Sequence, residues 1–174
     1  MAALEVFSNR YVQRLQERSM RITRGFNMDV ARALHNGIYD PVIVEYTRDA
    51  ERFATIEKTV LWYEQQRGSR VFYSLVDKAI QGVIWFGSST SEYTDASTTF
   101  AIRMYKSGRG QGLSGNFMEG AHEDFAKNEP GKDVWLRVQP GNDIAQELYT
   151  RHGYEIVHED IDGIVMNRTL SDKS

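Results

Sequence analysis

The chain has 174 residues, and 41% of them are hydrophobic, which is enough for one ordinary globular core. Its 24 acidic and 21 basic side chains leave a net charge of -3, which offers no basic footprint for nucleic acid or an anionic membrane. The lack of cysteine excludes disulfides, thiolate metal sites and a cysteine nucleophile, and no apolar run approaches the roughly 20 residues that span a bilayer.

The N-terminal stretch MAALEVFSNRYVQRL lacks the long apolar segment of a signal peptide, so a cytoplasmic location is expected. No repeat or low-complexity linker divides the sequence. Residues 1–174 are expected to form a single domain, with residues 1–18 as an N-terminal extension that holds a short helix over 11–17. Residues 18–24 alternate and predict a strand. Asn27 then caps a helix through His35, which Gly37 ends. Residues 39–46 (YDPVIVEY) are expected to be a loop or short extended piece. Asp49 is expected to cap one helix reaching about Arg67, because Phe53, Ile56, Val60 and Tyr63 fall on a single helical stripe. Residues 70–77 and 79–87 predict paired strands, followed by a polar loop over 88–97.

The pattern then becomes strand, glycine turn, helix, strand, helix. Phe100, Ile102 and Met104 alternate along a strand over 98–105. Leu113, Phe117 and Ala121 form an i, i+4 row on a helix over 113–127. A strand over 133–138 leads through Gln139-Pro-Gly-Asn142 into a helix that Gly153 ends, and residues 154–159 and 164–169 predict a final hairpin. Such strand-helix-strand units predict an α/β sheet with helices on both faces.

Arg109-Gly110-Gln111-Gly112-Leu113-Ser114 sits where the strand meets the helix. A glycine-rich turn at a helix start presents unpaired backbone N–H groups and the positive end of the helix dipole, a ready site for phosphate. A nucleoside triphosphatase loop would need Gly-Lys-Ser/Thr, and no lysine is present. Gly110-x-Gly112-x-x-Gly115 matches a dinucleotide fingerprint, but the following strand ends at Val138-Gln139-Pro140 without the carboxylate that would hold a ribose.

The third reading starts at the arginine. Arg109-x-x-Gly112-x-Ser114 resembles the Arg/Gln-x-x-Gly-x-Gly/Ala signature of the GNAT acetyltransferase superfamily. Ser114 stands where the family has Gly or Ala, and its small side chain can itself donate to a phosphate oxygen. The resemblance continues in register through Leu136-Arg-Val138, Asn142 and Ala145-Gln-Glu-Leu148-Tyr149-Thr-Arg-His-Gly153-Tyr154, and it covers residues 79–170. It implies a mixed, centrally splayed sheet flanked by helices on both faces. It also implies an N-acetyltransferase that moves an acetyl group from acetyl-CoA to a small-molecule or peptide amine by direct attack, with no metal. The alternative on the same fold is a non-catalytic acyl-CoA-binding or sensing module. Family members often pair through sheet edges, so a homodimer is a further expectation.

By the same resemblance, the backbones of Arg109, Gly110, Gln111, Gly112, Leu113 and Ser114 would cradle the pyrophosphate. A backbone N–H near Met104 would donate to the thioester carbonyl, and Asn142 would lie beside the coenzyme arm. Tyr149 would protonate the departing sulfur. Spacing alone reads Tyr149 as a core tyrosine, and the aligned Asn142, Ala145, Leu148 and Gly153 are what favour the acid. Glu45 is either a candidate base near the acceptor or a solvated loop carboxylate. Arg103 and Arg137, each between apolar residues of a central strand, need partners. Each either pairs with a carboxylate of a covering helix or recognises an acceptor anion. Tyr39, Tyr46, Trp85 and Tyr93 are candidate lining aromatics. The four histidines show no metal-ligand spacing, and His122 is expected to face solvent.

Overall fold

The computed structural model describes residues 20–170. In chain order its elements are β1 (Arg21–Arg24), α1 (Met28–Asn36), a 3-10 turn (Gly37–Tyr39), α2 (Pro41–Glu45), α3 (Asp49–Arg52), α4 (Ile56–Glu64), β2 (Arg70–Asp77), β3 (Ala79–Ser88), β4 (Thr98–Met104), α5 (Ser114–Asn128), β5 (Val134–Val138), α6 (Asp143–Arg151), β6 (Glu155–Asp160) and β7 (Gly163–Arg168). The helix expected over 11–17 lies outside the described residues.

The strands form one seven-stranded sheet in the order β1-β2-β3-β4-β5-β7-β6. All neighbours are antiparallel except β4 and β5. A dinucleotide-binding domain needs a run of parallel strands, so this topology removes that reading of the glycine turn.

Strand alternation divides the core between the two faces. Tyr73, Leu75, Ile84, Phe86 and Phe100 pack with Phe117, Ala121 and Phe125 of α5 and Tyr149 of α6. The intervening residues Phe72, Val83 and Trp85 pack with Val30 and Leu34 of α1 and with Phe53. Helices therefore cover both faces, as the strand-helix-strand pattern requires. On the second face the helical cover thins at β4, where Ala101 still packs on the core and Arg103 is held by α3, and a cavity opens over β4 and β5 beside Thr99, Ala101 and Arg103.

Two segments differ from expectation. Residues 41–45 are helical because the Asp40 side chain accepts the Val42 N–H at 3.1 Å while Pro41 supplies a preset φ at the first helical position. The long helix expected from Asp49 is two helices. Thr55 Oγ1 accepts the Lys58 N–H at 3.1 Å and restarts the chain as α4. Phe53 meanwhile turns into the core, 5.0 Å from the Trp62 ring and 6.3 Å from that of Trp85. A side-chain cap and a buried aromatic outweigh one continuous stripe.

Candidate functional site

The site begins where β4 and β5 part. They pair only at Thr98↔Val134 and Thr99↔Trp135, yet β4 runs on to Met104 and β5 to Val138. Tyr105 donates its N–H to Gln81 O at 2.9 Å, which fixes the phase of the β3–β4 ladder. By alternation, Ile102 and Met104 turn their backbone groups away from β3 and into the gap. Both carbonyls there are already covered by cations: Arg103 Nη1 donates to Ile102 O and Arg109 Nη1 to Met104 O, each at 3.0 Å. The open edge of β4 therefore presents N–H donors.

The glycine turn closes this gap at one end. Tyr105 O accepts from the Gly108 and Arg109 N–H groups at 2.8 and 3.0 Å. Gly108 must be glycine because a Cβ there would stand 2.8 Å from Gln81 O. Gly110 and Gly112 have φ of +73° and +69°. A Cβ at either would meet nothing within 4 Å, so their requirement is conformational. Among the described residues no side chain caps α5, whereas Asn27, Thr55 and Asn142 cap α1, α4 and α6. The first intrahelical donor of α5 is Phe117, to Leu113 O, which leaves the N–H groups of Ser114, Gly115 and Asn116 without helical partners.

Arg109 departs from its expected part. Its N–H is spent inside the turn, and its guanidinium grips Asp40 at 2.6 and 3.1 Å. Arg109 thus ties the start of α2 to the end of β4 rather than offering a backbone donor to phosphate. Its electrostatic effect shows in Asp40, whose carboxyl it holds below the usual range.

One cavity of about 780 Å³ joins the turn to the splayed strands. Arg103, Met104, Arg109, Gly110, Gly112, Leu113, Ser114, Asn142 and Tyr149 all line it. Gln111 and Glu45 do not: Gln111 Nε2 donates to Ser107 O at 2.6 Å, and Glu45 is exposed at the end of α2. Asn142 Oδ1 accepts the Ala145 N–H at 3.3 Å and so sets the start of α6. Tyr149 is 9% exposed, with its ring edge-on to Phe100 at 6.2 Å. Burial pushes its phenol up to about 12, so it holds its proton across the neutral range. A larger cleft of about 1220 Å³ lies between the outer strands, α1 and the start of α2, and holds neither the helix start nor Tyr149.

The two strand arginines part company. Arg103 is half-buried and bidentate to Asp49 of α3, at 2.6 and 2.9 Å, and Asp49 is only 2% exposed. Arg137 is more exposed, and its partner at 3.1 Å is Asp160 of β6, a strand rather than a covering helix. Of the candidate aromatics, Tyr46 and Trp85 line the cavity. Tyr39 lines the larger cleft, and Tyr93 stacks on His158 at 3.7 Å.

His122 is buried, not solvated. Its Nδ1 lies 2.6 Å from Met118 O, an acceptor only, so Nδ1 carries the proton and Nε2 accepts from the Tyr154 hydroxyl at 2.6 Å. Burial draws its pKa down to about 4.

Sequence reasoning passed over Arg52, Trp62 and Arg70, which line the far end of the cavity. The available signal was Arg70 standing at the first position of a strand whose next residues are apolar. Among the described residues, the cavity lining contains six arginines and no carboxylate.

Solved structures with this architecture are numerous. A GNAT-family acetyltransferase from Streptococcus pneumoniae superposes with a TM-score of 0.67 at 19% identity, over 86% of this chain and 98% of its own. The spermidine N-acetyltransferase of Vibrio cholerae, solved with CoA and spermine, gives 0.67 at 16% identity over 85% and 92%. The PaiA N-acetyltransferase of Thermoplasma acidophilum, solved with coenzyme A, gives 0.63 at 14% identity over 86% and 99%. No protein-family model and no curated protein matches the sequence. The fold is that of the GNAT N-acetyltransferases.

Proposed function

We propose that this chain is an acetyl-CoA-dependent N-acetyltransferase that lets a primary amine attack directly in a ternary complex. The observation that carries the reading is one cavity joining the uncapped start of α5, the donor edge of β4 and Tyr149. These features suit a cosubstrate with phosphates at one end and an amide-bearing arm at the other. Acetyl-CoA supplies an activated acyl thioester.

In this reading the N–H groups of Ser114, Gly115 and Asn116, with the Ser114 hydroxyl, hold the pyrophosphate beside Gly110 and Gly112. The N–H groups of Ile102 and Met104 run along the arm, and that of Met104 polarises the acyl carbonyl. Asn142 orders the β5–α6 turn against the arm. Anchoring so far from the reacting carbon serves orientation. Tyr149 keeps its proton until sulfur departs and then donates it. Glu45 lies outside the cavity lining, so the amine enters neutral and the proton it releases on attack passes to water at the cavity mouth.

Calorimetric titration with acetyl-CoA, with NAD as control, tests the binding half. Release of free thiol across an amine panel tests the transfer half. Micromolar binding with thiol release supports the reading. Binding with no turnover on any amine makes the chain a binding module, and no binding of acetyl-CoA removes the reading.

A further inference from the structure

Arg70 opens β2 in a row that crosses four strands: Arg70, Gly87, Thr99 and Trp135 are successive partners. Gly87 gives the arginine room to lie over β3, since a Cβ there would stand 3.4 Å from Cγ and Nε of Arg70 and from Thr99 Oγ1. The guanidinium stacks on Trp62, its Cζ 3.7 Å from the ring centroid, and Arg52 approaches the same ring at 5.7 Å.

Arg70 stands apart from the other arginines of the cavity. Arg48, Arg103, Arg109 and Arg137 each hold a carboxylate at 3.1 Å or less, and Arg52 reaches Asp49 at 4.0 Å. Arg70 forms no ion pair among the described residues, and its Nη1 is buried without a hydrogen-bond partner. Burial and the neighbouring Arg52 draw it down to about 10, which still leaves it charged at neutral pH. A half-buried cation with no carboxylate partner and one nitrogen buried without a hydrogen bond is unfavourable, and a bound anion would complete it. The row that carries Arg70 is also the last paired row of β4 and β5. Along β4 the first donor of the open edge, Ile102, lies three residues beyond that row, roughly 10 Å, and Met104 lies five residues beyond it, roughly 17 Å.

We propose that the acceptor is an amine that also bears an oxyanion, a carboxylate or phosphonate-type group, and that Arg70, with Arg52 against the Trp62 ring, binds that oxyanion. The amine half of this inference rests on the acetyltransferase reading. The anion half stands on binding alone. Five of the six lining arginines are already compensated by carboxylates behind them, but among the described residues the lining itself offers no carboxylate to a second ammonium group, so a polyamine is the poorer partner.

The test titrates γ-aminobutyrate, 3-aminopropylphosphonate, γ-aminobutyramide and spermidine onto the protein with and without CoA. The anionic pair separates carboxylate from phosphonate preference. At least one of them binds tighter than the amide by about 10- to 100-fold, the range for hydrogen bonds to a charged group. Spermidine does not bind. Arg70→Gln abolishes the preference and keeps CoA affinity within about twofold, because the helix start and β4 edge are untouched. Its thermal midpoint is unchanged or higher, which a structural role for Arg70 would not allow. Arg70→Lys, which keeps the charge without the fork, recovers part of the preference. The inference is overturned if neither anionic amine outbinds the amide, or if Arg70→Gln and Arg70→Lys both keep the full preference. Arg70-dependent anion binding without acetyl-CoA binding would sink the acetyltransferase reading and leave the anion site standing.

Discussion

Asp49→Ala isolates the contact that locks the acceptor side of the cavity. Asp49 receives both Nε and Nη2 of Arg103, at 2.6 and 2.9 Å, and is itself 2% exposed. The variant leaves a buried guanidinium without its carboxylate, a change worth about 3–5 kcal/mol when fully enclosed. The Arg103 side chain is 12% exposed and lines the cavity, so water can reach it, and the lower end, about 3 kcal/mol, is expected. For a chain of this size that is a fall of about 6–12 °C in thermal midpoint. Arg103→Met alone leaves Asp49 buried without its partner and should cost a similar amount. Asp49→Leu with Arg103→Met removes both charges and should return to within about 1 kcal/mol of the parent, far less than the sum of the two single losses. Urea unfolding monitored by tryptophan fluorescence measures all four proteins. A loss below about 1 kcal/mol for Asp49→Ala would show that Arg103 does not depend on Asp49. Arg103 would then be available as an anion receptor in the cavity.

Gly112→Glu forces a side chain into a left-handed conformation and sets a carboxylate beside the phosphate site, so acetyl-CoA affinity should fall by at least about tenfold in calorimetry. Tyr149→Phe should lower kcat by about 10²- to 10⁴-fold and leave acetyl-CoA affinity nearly unchanged; an unchanged kcat would return Tyr149 to the core. For His122 the folded pKa of about 4 lies below the ordinary 6.5, so the unfolded chain takes up the proton first and stability is complete above pH 6.5. It is lost as pH falls through 4, by about 3 kcal/mol over that window, and His122→Gln should flatten this part of the urea-derived stability profile.

The C-terminal half was legible because each signal was local. Gly110 and Gly112 mark backbone that only glycine adopts easily, Asn142 marks a helix start, and Gly153 its end. The gap between β4 and β5 was not visible from spacing, since both strands alternate normally to their ends. Its expectation came from the family resemblance. The acceptor end was hidden for a different reason. Arg70 meets Trp62 through α4 packing over β2 and β3, and Arg103 meets Asp49 across 54 residues. Neither contact leaves a short-range pattern. His122 was misplaced because a polar residue on an amphipathic helix reads as exposed, whereas the carbonyl of Met118 and the hydroxyl of Tyr154 satisfy both its nitrogens. Asp40-Pro41 read as a loop although it is a capped helix start.

Amide NMR of the protein titrated with coenzyme A tests the central claim most directly, because it locates the ligand as well as detecting it. The account predicts the largest shifts at the N–H groups of Ser114, Gly115, Asn116, Ile102 and Met104, with Arg109 little changed. Shifts centred instead on the larger cleft, around Arg21, Arg32 and Lys78, would contradict it.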